Sequence, residues 1–220
     1  MNKIESSMFP PPEKARKDGL LAIGGDLSVK RLLNAYANGI FPWYYPEEII
    51  QWWCPRTRYV IFPDKARVSR SLRKTIRKCR LQMKLNIDFG SIMHNCRIQR
   101  EGETWIGDEM ELAYRELFLA GWAMCVGVYD DDELVGGLYG VAIGKCFFGE
   151  SMFSDADNAS KIALVHLCEL LSKEGFAFID CQFHTEHLES LGGQFISWNT
   201  YSRLLAKGLG QGSSFSRKYI

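Results

Sequence analysis

The 220-residue chain is 46% hydrophobic and 24% charged, a composition that predicts a folded globular protein and excludes global disorder. Its length allows one domain, or one domain with a small companion, and its formal net charge of +1 indicates no partner by itself. No apolar run reaches the ~18 residues of a membrane-spanning helix, and the N-terminus lacks the apolar core of a signal peptide. We therefore expect a cytoplasmic protein that does not enter a membrane.

The seven cysteines are odd in number, irregularly spaced and without a CxxC pair, which predicts free thiols in a reducing compartment. Cys181, His184 and His187 follow one another at three-residue steps. This spacing leaves a zinc site and a cysteine–histidine nucleophile open as weak alternatives. No second close pair supplies the remaining zinc ligands, and nothing indicates a depressed thiol pKa. We predict no metal site.

Residues 1–57 differ from the rest of the chain, with most of the prolines and half of the tryptophans. One short helix is predicted here, capped by Ser28 and ended by Gly39. The aromatic and proline-rich stretch that follows is too irregular for one element. We predict a small N-terminal domain at 1–57 without a large core of its own.

From residue 58 onward, regular apolar periodicities predict a mixed α/β domain built around one sheet. The predicted elements are a basic helix at 68–80, a strand at 81–87, helices near 89–97 and 108–120, strands at 122–129, 133–142 and 145–153, a helix ending at Gly175, a strand from Phe176 and a last helix near 199–207.

Basic residues crowd the segment 64–84, which has a net charge of +8. They surround a narrow apolar stripe formed by Leu72, Ile76 and Cys79, so one side of the helix can pack while the others present charge. A solvated helix face is the ordinary interpretation, but the absence of interspersed acids favours a polyanion such as RNA. The side chains predicted to bind RNA are Arg70, Arg73, Lys74, Arg77, Lys78 and Arg80.

Two strands place polar side chains where an apolar residue is expected. Glu150 interrupts the run "KCFFGESMFS", and Asp180 and Gln182 follow the apolar strand start "FAFI". A buried carboxylate is costly unless it is hydrogen-bonded or used. Because strand side chains alternate, we expect Asp180 and Gln182 on one face and Cys181 on the other, as a packing residue. The three polar groups form a candidate site for proton handling and orientation.

Six motifs follow one another between about Gly19 and Gly193: "GGDLS", "NGIFPWYYPEEIIQWWCPRTR", "ETWI", "ELVGGLYGVAIGKCFFGESMFS", "NASKIAL" and "IDCQFHTEHLESLGG". Together and in this order they resemble the bacterial leucyl/phenylalanyl-tRNA–protein transferases. The resemblance implies transfer of leucine or phenylalanine, with methionine a further candidate, from aminoacyl-tRNA to the N-terminal arginine or lysine of a protein, which marks that protein for N-degron degradation. It also implies an α+β (mixed α/β) fold: a GNAT-like acyltransferase domain at 58–220 joined to the small N-terminal domain.

The resemblance also assigns residues by position. Glu150, Asp180 and Gln182 match the active-site polar residues. Trp43 and Trp105, which we expect to be exposed, match the aromatics that hold the terminal adenosine. The residues that match the wall of the amino-acid pocket are Leu138, Phe147 and Leu167. Leu138 and Leu167 replace a methionine and a phenylalanine of the enterobacterial form, and Thr185 replaces an asparagine.

The aminoacyl ester is already activated, so we expect no cofactor. Gln182 can accept a hydrogen bond from the attacking amine, and we expect Asp180 to hold the side-chain NH2 of Gln182. Glu150 can orient the donor or attract a cationic acceptor. Two alternatives stay open: an RNA-binding module, and an acyl-coenzyme A-dependent N-acyltransferase, although the sequence lacks a pyrophosphate-binding R/Q-x-x-G-x-G/A loop. We expect a monomer.

Overall fold

The computed structural model describes residues 8–99 and 104–211. These residues form a three-stranded sheet in the order β1-β3-β2 and a seven-stranded sheet in the order β10-β4-β9-β8-β7-β6-β5. The strands are β1 Leu20–Ile23, β2 Phe41–Pro42, β3 Gln51–Trp53, β4 Thr57–Ile61, β5 Gln82–Leu85, β6 Ala123–Asp130, β7 Glu133–Ile143, β8 Cys146–Ser154, β9 Phe178–Gln182 and β10 Gln194–Ser197. The protein is therefore α+β, as predicted.

Seven α-helices occur within the described part of the chain. They are α1 Val29–Ala37, α2 Arg70–Lys78, α3 Phe89–Ile98, α4 Asp108–Leu119, α5 Ala159–Lys173, α6 Glu186–Ser190 and α7 Trp198–Leu209. The first has its predicted ends: the Ser28 hydroxyl accepts a hydrogen bond from the Arg31 N–H, and Gly39 has a φ of +70°. None of the helices within the two described ranges is long and apolar enough to cross a bilayer.

The sequence interpretation missed six short elements: the three strands of the small sheet, β4, β10 and α6. Each of these has five residues or fewer, which is too short for periodicity to define. β4 matters most, because it lies between β10 and β9 in the large sheet and carries Arg58, which pairs with Asp180.

The large sheet is antiparallel except for its central pair, β8 and β9. One apolar cluster, which includes residues of α5 and the buried Leu72 of α2, covers one face. A second cluster joins residues of α3, α4 and α7 to the other face. Two parallel strands therefore run through the middle of the molecule with buried surroundings on both sides.

The buried apolar side chains of residues 8–57 belong to the second cluster. Leu32, Tyr36 and Phe41 belong to the same group of buried side chains as Tyr114 and Phe148. The Tyr36 ring lies 5.0 Å from the Phe148 ring of β8. This packing brings α1 and β2 against the strands that carry the predicted polar residues.

Candidate functional site

A cavity of about 440 Å³ opens beside β8 and β9, a volume in the range of small-molecule sites. All five residues predicted to bind the donor line it: Trp43, Trp105, Leu138, Phe147 and Leu167. Glu150 and Gln182 also line it, whereas Asp180 does not. The six basic residues of the predicted RNA-binding helix lie outside it.

One part of the cavity wall is apolar and belongs to the buried core. Leu138, Phe147 and Leu167 are buried, and Leu164 and Ile179 join them at the same wall. These side chains come from the sheet and from α5, so their positions are fixed by the core. A wall of this kind suits an apolar side chain of a ligand.

The aromatic part of the wall differs from the expected exposed platforms. Trp105 is only 8% exposed, so the prediction that it stands in solvent is wrong. Trp43 is half-buried, with its ring 5.3 Å from Phe183 and 5.7 Å from Trp53. The Trp53 indole N–H donates to the Trp43 carbonyl oxygen at 2.6 Å, so β3 is one of the elements that hold Trp43.

β8 carries a bulge at the cavity. Tyr139 of β7 pairs with Ser151, and Gly140 pairs with Gly149, so Glu150 is an extra residue. Bulges bend a strand and re-aim a side chain, and they are frequent beside active sites. This one explains how a carboxylate fits into an apolar strand.

β9 carries the second bulge. Val60 pairs with Asp180 and Tyr59 with Gln182, so Cys181 is extra. Asp180 and Gln182 thus pair with two successive residues of β4, and successive strand residues point to opposite faces of a sheet. The prediction that Asp180 and Gln182 share a face is therefore wrong. Gln182 and Cys181 line the cavity, so the prediction that Cys181 faces away from the site is wrong too.

Two phenols bind the carboxylate of Glu150. The Tyr36 hydroxyl donates to Oε1 at 2.7 Å, and the Tyr114 hydroxyl lies 3.0 Å from Oε2. The two hydroxyls also contact each other. Burial raises the pKa of Glu150 to about 7, against the opposing effect of both phenols. Glu150 is thus held in one orientation, with a charge that changes near neutral pH.

Asp180 lies behind the cavity and is 1% exposed. Its Oδ1 accepts from the backbone N–H of Gln182 at 3.0 Å, and its Oδ2 accepts from the Tyr201 hydroxyl at 2.7 Å. The Nε atom of Arg58 lies 3.6 Å from Oδ2. Burial raises the pKa of Asp180, while Arg58 and these hydrogen bonds oppose the rise.

The amide of Gln182 is not held by Asp180, contrary to the expectation. Its Nε2 atom is buried and has no hydrogen-bond partner among the described residues. Its backbone has a φ of +57°, a left-handed conformation that is uncommon for residues other than glycine. Asp180 therefore acts on the main chain of Gln182 and not on its side chain.

Three further residues left open by the sequence lie at or near the cavity. Thr185 lines it and caps α6, its hydroxyl accepting from the Leu188 N–H at 3.2 Å. His187 lines it too, and burial lowers the pKa of its imidazole. His184 does not line it, and its Nε2 lies 2.9 Å from a carboxylate oxygen of Glu189.

The predicted basic surface forms as expected in its local structure. Leu72 is buried and Ile76 and Cys79 are half-buried, whereas all six predicted RNA-binding side chains are exposed: Arg70, Arg73, Lys74, Arg77, Lys78 and Arg80. With the described residues these six make no ion pair. Their charge is thus available to a partner.

The seven cysteines are all free. Within the described ranges, no three cysteine, histidine or acidic side chains come together as a metal-binding group. In particular, Cys181, His184 and His187 do not form one.

The family model described as leucyl/phenylalanyl-tRNA protein transferase matches residues 60–206, and the model of its N-terminal domain matches residues 25–56. The chain belongs to the leucyl/phenylalanyl-tRNA–protein transferase family. The resemblance seen in the motifs is thereby confirmed.

Relatives named leucyl/phenylalanyl-tRNA–protein transferase match nearly the whole chain. The one from Syntrophus aciditrophicus is 51% identical over 92% of this chain and 86% of its own. The one from Pseudomonas fluorescens is 50% identical over 94% of this chain and 93% of its own. A solved lysylphosphatidylglycerol synthetase C-terminal domain from Agrobacterium fabrum has a TM-score of 0.42 at 11% identity, covering 87% of this chain and 61% of that one; this likeness is too low to support an argument.

In this member of the transferase family, sequence reasoning missed the residues that hold the polar groups in place. Tyr36 and Tyr114 bind Glu150, and Arg58 and Tyr201 contact Asp180. The two tyrosines lie on helix faces that read as ordinary apolar stripes. The signal that could have found Arg58 was a charge directly before the short apolar run "YVIF", which predicts a buried cation in need of a partner.

Proposed function

We propose that the protein transfers leucine or phenylalanine from aminoacyl-tRNA to the N-terminal arginine or lysine of acceptor proteins. The observation that carries this proposal is the cavity, which combines a buried apolar wall with Glu150 and Gln182 in a chain of this transferase family. The apolar wall suits the amino-acid side chain, and the polar groups suit the ester and the attacking amine. Acceptors modified in this way would enter N-degron degradation.

The donor ester is already activated, so the protein must supply alignment and stabilise the tetrahedral oxyanion. Gln182 is the residue we propose to align the attacking amine, since its amide oxygen can accept a hydrogen bond from that amine. No described residue binds its Nε2. This group is therefore available to donate a hydrogen bond to an oxygen of the aminoacyl ester when that ester occupies the cavity. The reaction needs no metal or cofactor for these steps.

Glu150 is the residue we propose to orient the donor. Each oxygen of its carboxylate contacts one phenol, and the group also lines the cavity. In its ionised form it attracts the cationic end of an acceptor. In its protonated form it can instead donate a hydrogen bond to the aminoacyl ester.

The tRNA body is proposed to bind the exposed basic residues around α2, because their charges are unpaired with described residues and match a phosphate backbone. Trp43 and Trp105 are proposed to hold the terminal adenosine, since both line the cavity. We propose that the protein acts as a cytoplasmic monomer with domains at 1–57 and 58–220. The central parallel pair β8–β9 supports a GNAT-like architecture for the second.

The direct test is transfer of radiolabelled leucine from leucyl-tRNA to a substrate with N-terminal arginine. We expect label in the protein substrate, and none after treatment of the charged tRNA with RNase. A substrate with N-terminal alanine should remain unlabelled.

Gln182→Ala should lower kcat by about 10²-fold, the order of magnitude of one lost alignment or oxyanion contact, with little change in tRNA affinity. Gln194→Ala, on the exposed surface of β10, is the matched control and should behave as wild type. Unchanged turnover in Gln182→Ala would contradict the proposed role of this residue.

A further inference from the structure

Arg58 is a fully buried cation, with 0% exposure, near the start of β4. Its guanidinium lies between two rings, 4.9 Å from the centre of Phe41 and 4.5 Å from that of Tyr201. Its Nη2 donates to the carbonyl oxygen of Gly39. A buried charge is strongly unfavourable without a partner, and Asp180 supplies the opposite charge, with 3.6 Å between Nε and Oδ2.

Asp180 passes this restraint on to Gln182. Its two oxygens serve different groups, Oδ2 the Tyr201 hydroxyl and Oδ1 the Gln182 N–H. The second bond closes around Cys181 and stabilises the left-handed backbone of Gln182. Such a conformation persists only where its surroundings fix it, and here the fixing group is a carboxylate that is itself held on two sides.

The same guanidinium also restrains the aromatic wall. Arg58 contacts Phe41, which lines the cavity and directly precedes Pro42 and Trp43, and also Gly39, two residues before Phe41. One side chain from β4 therefore connects the N-terminal segment on one side with the end of β9 on the other. A planar, permanently charged guanidinium can stack on rings and donate at its edge at the same time.

We infer that Arg58 and Tyr201 are positioning residues for the transfer reaction. Both hold Asp180 and thereby the main chain of Gln182, and Arg58 also holds the segment that leads to Trp43. The inference rests on the proposed function, since it assigns Gln182 a part in that reaction. Neither Arg58 nor Tyr201 lines the cavity. They act on the reaction only through the residues they hold, so their loss should change the alignment of bound substrates more than their binding.

Tyr201→Phe is the sharpest test, because it keeps the ring against Arg58 and removes only the hydroxyl donor to Asp180. We expect kcat to fall by about 10-fold, with the KM values for leucyl-tRNA and acceptor within about 2-fold of wild type, because small displacements of reacting groups lower rates steeply. Tyr59→Phe is the matched control. It lies next to Arg58 in β4, and its hydroxyl is buried without a partner among the described residues, so kcat should stay within about 2-fold.

Arg58→Lys is a second variant that keeps the charge and loses the planar, stacked group. We expect a fall in kcat of about 10²-fold in protein whose circular dichroism shows a folded chain; if that variant does not fold, Tyr201→Phe alone decides. Equal kcat values for Tyr201→Phe and Tyr59→Phe would overturn the inference, as would a raised KM with unchanged kcat. A wild-type protein that transfers no leucine would instead defeat the proposed function, so the two failures are distinguishable.

Discussion

Glu150 combines burial with two hydrogen-bond donors, and these have opposite effects on its charge. Burial disfavours the carboxylate and raises its pKa to about 7, while the phenols of Tyr36 and Tyr114 favour the charged form. Burial is the larger effect. The group is thus poised between its two forms under the conditions in which the protein is expected to work, and a charged ligand in the cavity can decide between them.

The raised pKa of Glu150 predicts a pH-dependent free energy of unfolding. Between about pH 4.5 and 7 the folded protein binds this proton more tightly than the unfolded chain does. The bound proton therefore stabilises the fold at low pH, and the free energy of unfolding falls as pH rises. Glu150→Gln cannot titrate and should remove this slope. Urea unfolding at pH 5 and pH 7.5 measures this slope. From the lower to the higher pH, the free energy of unfolding of the wild type should fall by about 1–3 kcal/mol more than that of the variant. Parallel pH dependences would contradict the assigned pKa.

At the scale of elements, the helices and long strands were predictable and the bulges were not. The pattern of α5 and the alternation of β5 depend on local periodicity, which the sequence displays directly. The bulges at Glu150 and Cys181 depend on pairing with β7 and β4, and β4 is too short to recognise. A regular alternation carried through β9 therefore put Asp180 on the cavity and Cys181 behind it, the reverse of the observed arrangement.

α2 is the element whose predicted role depends on charge alone, which makes it testable with salt. Arg73→Glu combined with Arg77→Glu should weaken tRNA binding and reduce the slope of log K against log salt by about 1–2, since each lost phosphate contact removes almost one unit. The control pair is Arg203→Glu with Lys207→Glu, at the same i,i+4 spacing and exposed on α7. Filter binding over a salt series measures the slope for each double variant. Equal slopes for the two double variants would show that the tRNA binds at another surface.

At the scale of the whole molecule, the sequence predicted two domains but not how far they share a core. The two family models match residues 25–56 and 60–206. The buried side chains do not divide between these two ranges. Tyr36 reaches Glu150 from α1, Phe41 reaches Arg58 from β2, and both belong to a cluster continuous with α3 and α4. Such contacts between distant parts of a chain leave no local pattern.

This shared core predicts that the protein unfolds in one cooperative transition. Leu32→Ala, at a fully buried position of α1, should destabilise the whole protein by about 2–5 kcal/mol, because the cavity it leaves lies within the common cluster. Calorimetry should show a single peak shifted to lower temperature, with tryptophan fluorescence and circular dichroism changing together. Leu119→Ala, at a position that is 83% exposed, is the matched control and should change the midpoint little. Two separate transitions, with only one of them shifted by Leu32→Ala, would show that the N-terminal part folds independently and that the contacts of Tyr36 and Phe41 do not couple it to the site.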